Sequence, residues 1–194
     1  MALTTVQACK AFRGIEGDNL EHDEELARLI LAVQEWLERE CERKFEQATV
    51  TEYYSGTRWR DLIEVARPPI VSITNLWDDL LRVYATPMSV ANYVVPQVDS
   101  HDSKAGIVRL DHLQFQQGIQ NIKITYAGGF ATIPTDLEQA AIEMVWAARE
   151  KGLHNLVGVR SRSVADGNVQ YVNLAWSSLA EDIINQYRLH LGVA

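Results

Sequence analysis

The stretch KITYAGGFATIPTDLEQAAIEMVW, Lys123–Trp146, starts as a strand, breaks at two glycines, meets a proline and ends as a helix. Ile122, Ile124 and Tyr126 alternate with Lys123 and Thr125, the period-two pattern of a half-buried strand. Gly128 and Gly129 permit positive φ where that strand must stop, and Pro134 suits the approach to a helix. Thr135, with Glu138 three residues on, reads as a capping box. Leu137, Ala140, Ala141, Met144, Val145 and Ala148 then make an alanine-rich stripe that lets another helix approach closely. Gly128, Gly129 and Pro134 are thus expected to form a structural bend that fixes a strand and a helix at a set angle.

Working upstream, Thr4 or Thr5 can cap a short helix, VQACKAF, which Gly14 and Gly17 would end. Leu26, Leu29, Ile30, Val33, Trp36, Leu37, Cys41 and Phe45 then recur at spacings of three and four, predicting a long amphipathic helix. After Phe45 the texture changes to short β-branched or aromatic runs cut by Gly, Pro and Asp/Ser clusters, which predict five to seven strands between about residues 48 and 127. Pro68 and Pro69 lack ladder donors and mark an edge, a bulge or a turn.

Downstream, Gly152 ends the helix, and Asp166-Gly167-Asn168 between Val164 and Val169 predicts a hairpin or extended loop. A last helix from about Trp176 carries Leu179, Ile183, Ile184 and Tyr187 on one face, with Arg188 and His190 near its end. The expected fold class is therefore α+β, mainly α. About four helices form a bundle, with a β-rich insertion between the second and third helices and a hairpin before the last. The expected organisation is one domain, 1–194, with a helical core from 1–46 and 134–194 and the insertion at about 47–128.

The chain has 194 residues, with 26 acidic and 18 basic side chains, and its net charge of -8 argues against broad binding to phosphate backbones. From Glu16 to Glu46 eleven acids face four bases, so most of the imbalance sits in one segment. No apolar run reaches the ~20 residues a membrane span needs, and the N-terminus lacks the order of a signal peptide. These features lead to the expectation of a soluble protein made in a cytoplasm, with Cys9 and Cys41 as reduced, structural thiols.

Catalytic patterns are sparse. The histidines form no HExxH pair, and neither a phosphate-binding loop, a GxGxxG run nor a nucleophile elbow occurs. Asp99, His101, Asp102, Asp111 and His112 lie close in sequence and suit a divalent cation if they converge; the other reading is a solvated polar loop. Trp59, Trp77 and Trp176 fall near turns or element ends, where an indole packs inward or anchors a partner. Arg160 and Arg162, gathered with Lys123 or Arg109, would make a nucleic-acid surface; a solvated or subunit-contacting loop is the alternative.

Taken in order, DEELARLILAVQEWLERECERKF, TVTEYY, RPPIVSITNL, ITYAGGFATIPTDLEQAAIEMVWAARE, RSRSVADGNVQYV and LAEDIINQYRL resemble the head-tail connector, or adaptor, proteins of tailed bacteriophages. The resemblance covers nearly the whole chain. It departs in a longer β block, including DSHDSKAGIVRLDHLQFQQG, and in the ending LHLGVA. The resemblance implies a structural virion protein without catalysis or cofactor, assembled in the bacterial host cytoplasm and located at the head-tail neck. It implies a ring of about twelve copies that leaves a channel for DNA, passed without sequence-specific binding, and no membrane partner.

The implied partners are the portal protein, neighbouring copies and a tail-side neck protein. By that analogy Trp176, Tyr187, Arg188 and Leu191 would reach the portal. Arg160, Arg162, Asp166 and Tyr171 would lie at a neighbour or tail-side contact. The acidic surface of Glu21, Glu35, Glu38 and Glu42 would face the lumen or flank it. Another neck component, such as a stopper or tail-completion protein, is the alternative, followed by a metal-dependent enzyme built on Asp99–His112.

Overall fold

The computed structural model describes residues 2–153, 161–164, 167–170 and 178–188. In chain order the elements are α1 (Val6–Phe12), α2 (Asp23–Glu40), β1 (Ala48–Gly56), β2 (Leu62–Glu64), β3 (Ile70–Asp78), β4 (Tyr93–Val94), α3 (His101–Ala105), β5 (Ile107–Leu110), β6 (Gly118–Gly128), α4 (Thr135–Leu153), β7 (Ser161–Val164), β8 (Gly167–Gln170) and α5 (Ser178–Tyr187). They fall into two compact units. One holds the residues up to Glu42 together with Ile133–Arg188; the other holds Arg43–Thr132.

In the helical unit, Thr5 caps α1 by accepting from the Ala8 N–H at 3.1 Å. Asp23, Glu24 and Glu25 occupy the first turn of α2, where carboxylates complement the helix dipole. Leu26, Ile30, Val33 and Leu37 form its buried stripe. The helix stops at Glu40, short of Phe45, and Glu42 takes a φ of 54°. Against α2 and α5 lies α4, whose Leu137, Ala140, Ala141, Met144 and Val145 are buried as their spacing predicts. Burying a leucine such as Leu137 contributes about 2 kcal/mol. The Trp146 indole N–H donates to the Cys9 carbonyl at 2.9 Å, tying α1 to α4. The buried Lys10 ammonium pairs with Asp23 and donates to the Gly17 carbonyl at 3.3 Å. Cys9 and Cys41 are both buried, and burial pushes the Cys9 thiol up.

In the β unit two three-stranded antiparallel sheets have the orders β1-β6-β3 and β2-β5-β4. Ile122, Ile124 and Tyr126 of the central β6 point into a core with Leu76, Val108 and Phe115, while Lys123 and Thr125 take the other face. That core also admits polar contacts at its edge. The Tyr126 hydroxyl donates to Glu52 Oε1 at 2.9 Å and accepts from the Arg67 N–H at 3.0 Å. Burial, with the Glu52 charge beside it, pushes the phenol well up and keeps it protonated. Pro68 and Pro69, joined by a cis peptide bond, occupy the connection into the edge strand β3.

The expectation of a mainly helical, four-helix bundle is corrected. The protein is α+β: the described residues are 36% helix and 25% strand, and among them are five α-helices and two three-stranded sheets besides the β7-β8 pair. The physical reason lies in the short apolar runs after Phe45. They bury one another around Ile63, Val65, Tyr93, Val108 and Leu110, giving the strands a core of their own.

Candidate functional site

The glycine bend is built by close backbone approach. Gly129 has a φ of +99°, and a Cβ there would stand 2.5 Å from the Glu46 carbonyl oxygen. Gly128 is needed for space: a Cβ on it would meet the Arg67 carbonyl at 2.1 Å. The Gly129 N–H donates to the Pro69 carbonyl at 3.0 Å and the Phe130 N–H to that of Phe45 at 2.8 Å. Sequence reasoning missed Arg43, which is buried here. Its guanidinium donates to the Pro68 carbonyl and lies over the Phe45 and Phe130 rings at 5.5 and 5.3 Å. On the helical side, the Pro134 carbonyl accepts from the Glu138 N–H at 3.0 Å. The expected Thr135–Glu138 capping box is replaced, because the Glu138 carboxylate accepts from Thr4 Oγ1 at 3.3 Å.

At the end of α5 the two described candidates are both engaged within the helical unit. The Tyr187 hydroxyl meets Asp136 Oδ1 at 2.9 Å and Oδ2 at 3.0 Å. Arg188 donates through Nε to the Glu40 carbonyl at 3.0 Å and lies 3.9 Å from the Glu40 carboxylate, with part of its side chain still exposed. Trp176 and Leu191 lie outside the described residues, as do Arg160, Asp166 and Tyr171. Arg162 is in β7, which pairs with β8 from Ser161↔Gln170 to Val164↔Gly167.

Charge is divided unevenly between the units. Residues 1–42 with 133–188 carry 17 acids and 9 bases, whereas 43–132 carry 9 of each, so the helical unit holds the whole net charge. Glu21, Glu35 and Glu42 are exposed. Glu38 is only 7% exposed and accepts from Gln34 Nε2 at 3.4 Å, which removes it from the exposed acidic surface.

The Asp/His segment does not converge. Asp102 pairs with Arg109 at 3.2 Å, and the exposed Asp111 and His112 lie 3.4 Å apart. Among the described residues no three His, Cys, Asp or Glu side chains gather to hold a metal. Lys123 is likewise occupied. Its ammonium sits 4.6, 5.4 and 6.0 Å from the rings of Trp77, Tyr84 and Tyr53, a cation–π cluster on the outer face of the β1-β6-β3 sheet.

One end of the β unit is both apolar and exposed. After Gly56, which pairs with Gly118, the chain turns through Trp59, 70% exposed at a φ of 70°, with Arg58 stacked over its indole at 4.8 Å. At the same end of the β1-β6-β3 sheet the loop after β3 presents Leu81 and Val83, 81% and 69% exposed. Asp79 shapes that loop: its carboxylate accepts from the N–H groups of Leu81, Val83 and Tyr84 at 2.9, 2.9 and 2.8 Å. Those amides hold the Asp79 carboxyl below the usual carboxylate range. The Tyr84 hydroxyl donates to the Gln120 carbonyl, binding the loop to the start of β6, where Ile119 is 76% exposed. The run DLLRVY, Asp79–Tyr84, an acid followed by apolar residues, is the sequence signal for this surface.

The fold is similar to that of proteins in particle necks. A chain in the neck of a native GTA particle computed with C12 symmetry matches with a TM-score of 0.56 and 17% identity, over 94% of this chain and 88% of that one. For a chain in the neck of an empty GTA particle computed with C6 symmetry the TM-score is 0.54 and the identity 17%, over 86% and 78%. A chain from the virion of a native gene transfer agent particle gives 0.54 and 19%, over 93% and 88%. At such identities the likeness is one of fold. A comparison with curated protein sequences finds no match. The family model of the head completion proteins matches residues 2–189, and the chain belongs to that family, the structural proteins of the phage-type head-tail neck.

Proposed function

We propose that the protein forms a ring at the head-tail neck, seated between the portal and a tail-side connector, and leaves a channel through which DNA passes. The observation that carries this reading is the family match over residues 2–189, joined to a fold similar to that of chains from particle necks computed with C12 and C6 symmetry. A ring of about twelve copies needs each subunit to offer two different patches. The two units differ as such patches would, one strongly acidic and the other neutral with an exposed apolar end. The role is structural, without catalysis, and its place is the virion.

In this reading the end of α5, with Tyr187, Arg188 and the following Leu191, reaches the portal together with Trp176. The β7-β8 segment, from Arg160 and Arg162 through Asp166 to Tyr171, lies at a neighbour or tail-side contact. Glu21, Glu35 and Glu42 face or flank the lumen, where negative charge repels the DNA backbone and lets it slide. Negative-stain microscopy with mass measurement, on the protein alone and mixed with its portal, tests the reading. Rings with a central hole or a collar on the portal support it, and a monomer that ignores the portal refutes it.

A further inference from the structure

The strands at the edges of the two β-unit sheets are not alike. β2 has three residues and β4 two, while β3 shifts register at Ile70/Ser72 and Ile73/Asn75 and its Leu76 carbonyl accepts from the Met88 N–H at 2.6 Å. Short length, bulges and a covering loop are the means by which sheets blunt an edge. β1 has none of them. It pairs with β6 without a break from Ala48↔Gly128 to Tyr54↔Ile122, and ATVTEYYSG contains no proline, lysine or arginine. Among the described residues its backbone bonds run to β6 alone, so the amides and carbonyls along its other side have no strand partner.

That edge is fixed in place. The Thr51 and Thr125 hydroxyls lie 2.9 Å apart, the Glu52 carboxylate accepts from the Tyr126 hydroxyl at 2.9 Å and the Ala66 N–H at 3.2 Å, and the Gly56 N–H donates to Asn121 Oδ1 at 2.9 Å. Toward Gly56 the strand borders a cleft of about 180 Å³ that it shares with Leu62, Ile63, Phe115 and Ile122. Elsewhere in the chain one sheet has the opposite need. β7 and β8 pair with one another from Ser161↔Gln170 to Val164↔Gly167, and among the described residues no third strand joins them. A hairpin of two strands is marginal in water and gains stability from a third strand or a packed face. Its four-residue strands span ~13 Å, well within the ~30 Å that the nine residues of β1 offer.

We propose that the β7-β8 hairpin of one copy adds to the free edge of β1 in a second copy, so that the β1-β6-β3 sheet continues across the subunit boundary as five strands. The inference rests on the ring reading and supplies the receiving surface for the hairpin that this reading puts at a neighbour. Main-chain hydrogen bonds carry a contact of this kind. A hairpin on one copy and a strand edge on the next are two different patches, the heterologous arrangement from which rings close.

The test is disulfide capture in the full chain, whose own Cys9 and Cys41 are buried. Thr49→Cys and Thr51→Cys, at exposed positions of β1, are each mixed with a second protein carrying Arg162→Cys or Ser163→Cys in β7, or Asn168→Cys or Val169→Cys in β8. The mixtures are assembled with the portal and oxidised. Opposed residues of neighbouring strands stand ~4.5–5.5 Å apart at Cα, within the reach of a disulfide. The expected result is a linked pair at twice the chain mass, absent when wild-type protein replaces either member. Arg162→Pro with Val169→Pro removes two hairpin amides and is expected to weaken assembly about tenfold or more. The melting temperature should stay within a few degrees of wild type, because the β-unit core contains neither strand. Rings that form with no linked pair in any mixture would show this contact wrong while the ring reading stands. Linkage at monomer mass in one chain carrying both Thr51→Cys and Ser163→Cys, with no linked pair between chains, would put the hairpin on its own sheet and overturn the proposal. If wild type neither self-associates nor adds to the portal, the ring reading itself fails and takes this contact with it.

Discussion

Gly129 lies against the backbone of Glu46, so near that any side chain would place its first carbon 2.5 Å from the Glu46 carbonyl oxygen. The contact closes the end of the β1-β6-β3 sheet, where the Phe130 N–H also donates to Phe45 and the Gln47 N–H to Phe130. Both the positive φ and the missing Cβ are therefore used at one residue.

Gly129→Val is expected to lower stability by about 3 kcal/mol or more, combining left-handed strain with a clash against backbone that has no room to move. Gly14 supplies the control. It also has positive φ, +66°, but a Cβ there meets nothing within 4 Å. Gly14→Ala should cost only about 1 kcal/mol. Denaturant unfolding of the two variants checks the contrast; equal losses would contradict it.

Arg188→Ala should leave the monomer folded, since the ion pair it loses with Glu40 is partly exposed and contributes less than about 1 kcal/mol. Portal binding should weaken. Tyr187→Phe removes the hydroxyl held by both oxygens of Asp136 and should cost about 1 kcal/mol of stability. Thermal melts together with a portal pull-down separate the two roles.

The Asp79 loop should be insensitive to pH until strongly acidic conditions. Its carboxyl is held below the usual range by the backbone amides of Tyr84, Leu81, Val83 and Arg82, so the ionised form contributes order above that range. The contribution is lost as pH falls through the lowered value. Amide exchange at Leu81, Val83 and Tyr84 should stay slow through mildly acidic pH and quicken only below it. In Asp79→Ala it should be fast at every pH.

Trp146→Phe is expected to cost about 1–2 kcal/mol, because the Cys9 carbonyl inside the helical unit loses its indole donor. Denaturant unfolding measures the loss, and an unchanged midpoint would show that the bond contributes nothing.

Local periodicity made much of this fold legible. The alternation about Lys123 and the stripe from Leu137 to Val145 stand in the structure as their spacing dictates, because each is decided by one element burying one face. Pairings between distant segments were not legible. Leu62 meets Arg109 and Tyr93 meets Leu110, and nothing local in such short runs signals that they share a sheet or that the sheet closes a separate core. The same limit explains Glu138, drawn to Thr4 from the far end of the sequence, and the burial of Arg43 beneath the Pro68 carbonyl. Glu38 looked like its acidic neighbours because only packing decides which side of the α2 stripe is covered. The exposed Trp59 was open to two readings in sequence. Its positive φ and the adjoining Asp79 loop are visible only in three dimensions.

The central claim is assembly at the neck, and microscopy with mass measurement of the purified full chain, alone and mixed with its portal, tests it most directly. The account predicts rings with a central hole, or a collar of about twelve copies added to the portal. A protein that stays monomeric in both samples and leaves the portal unchanged would contradict it.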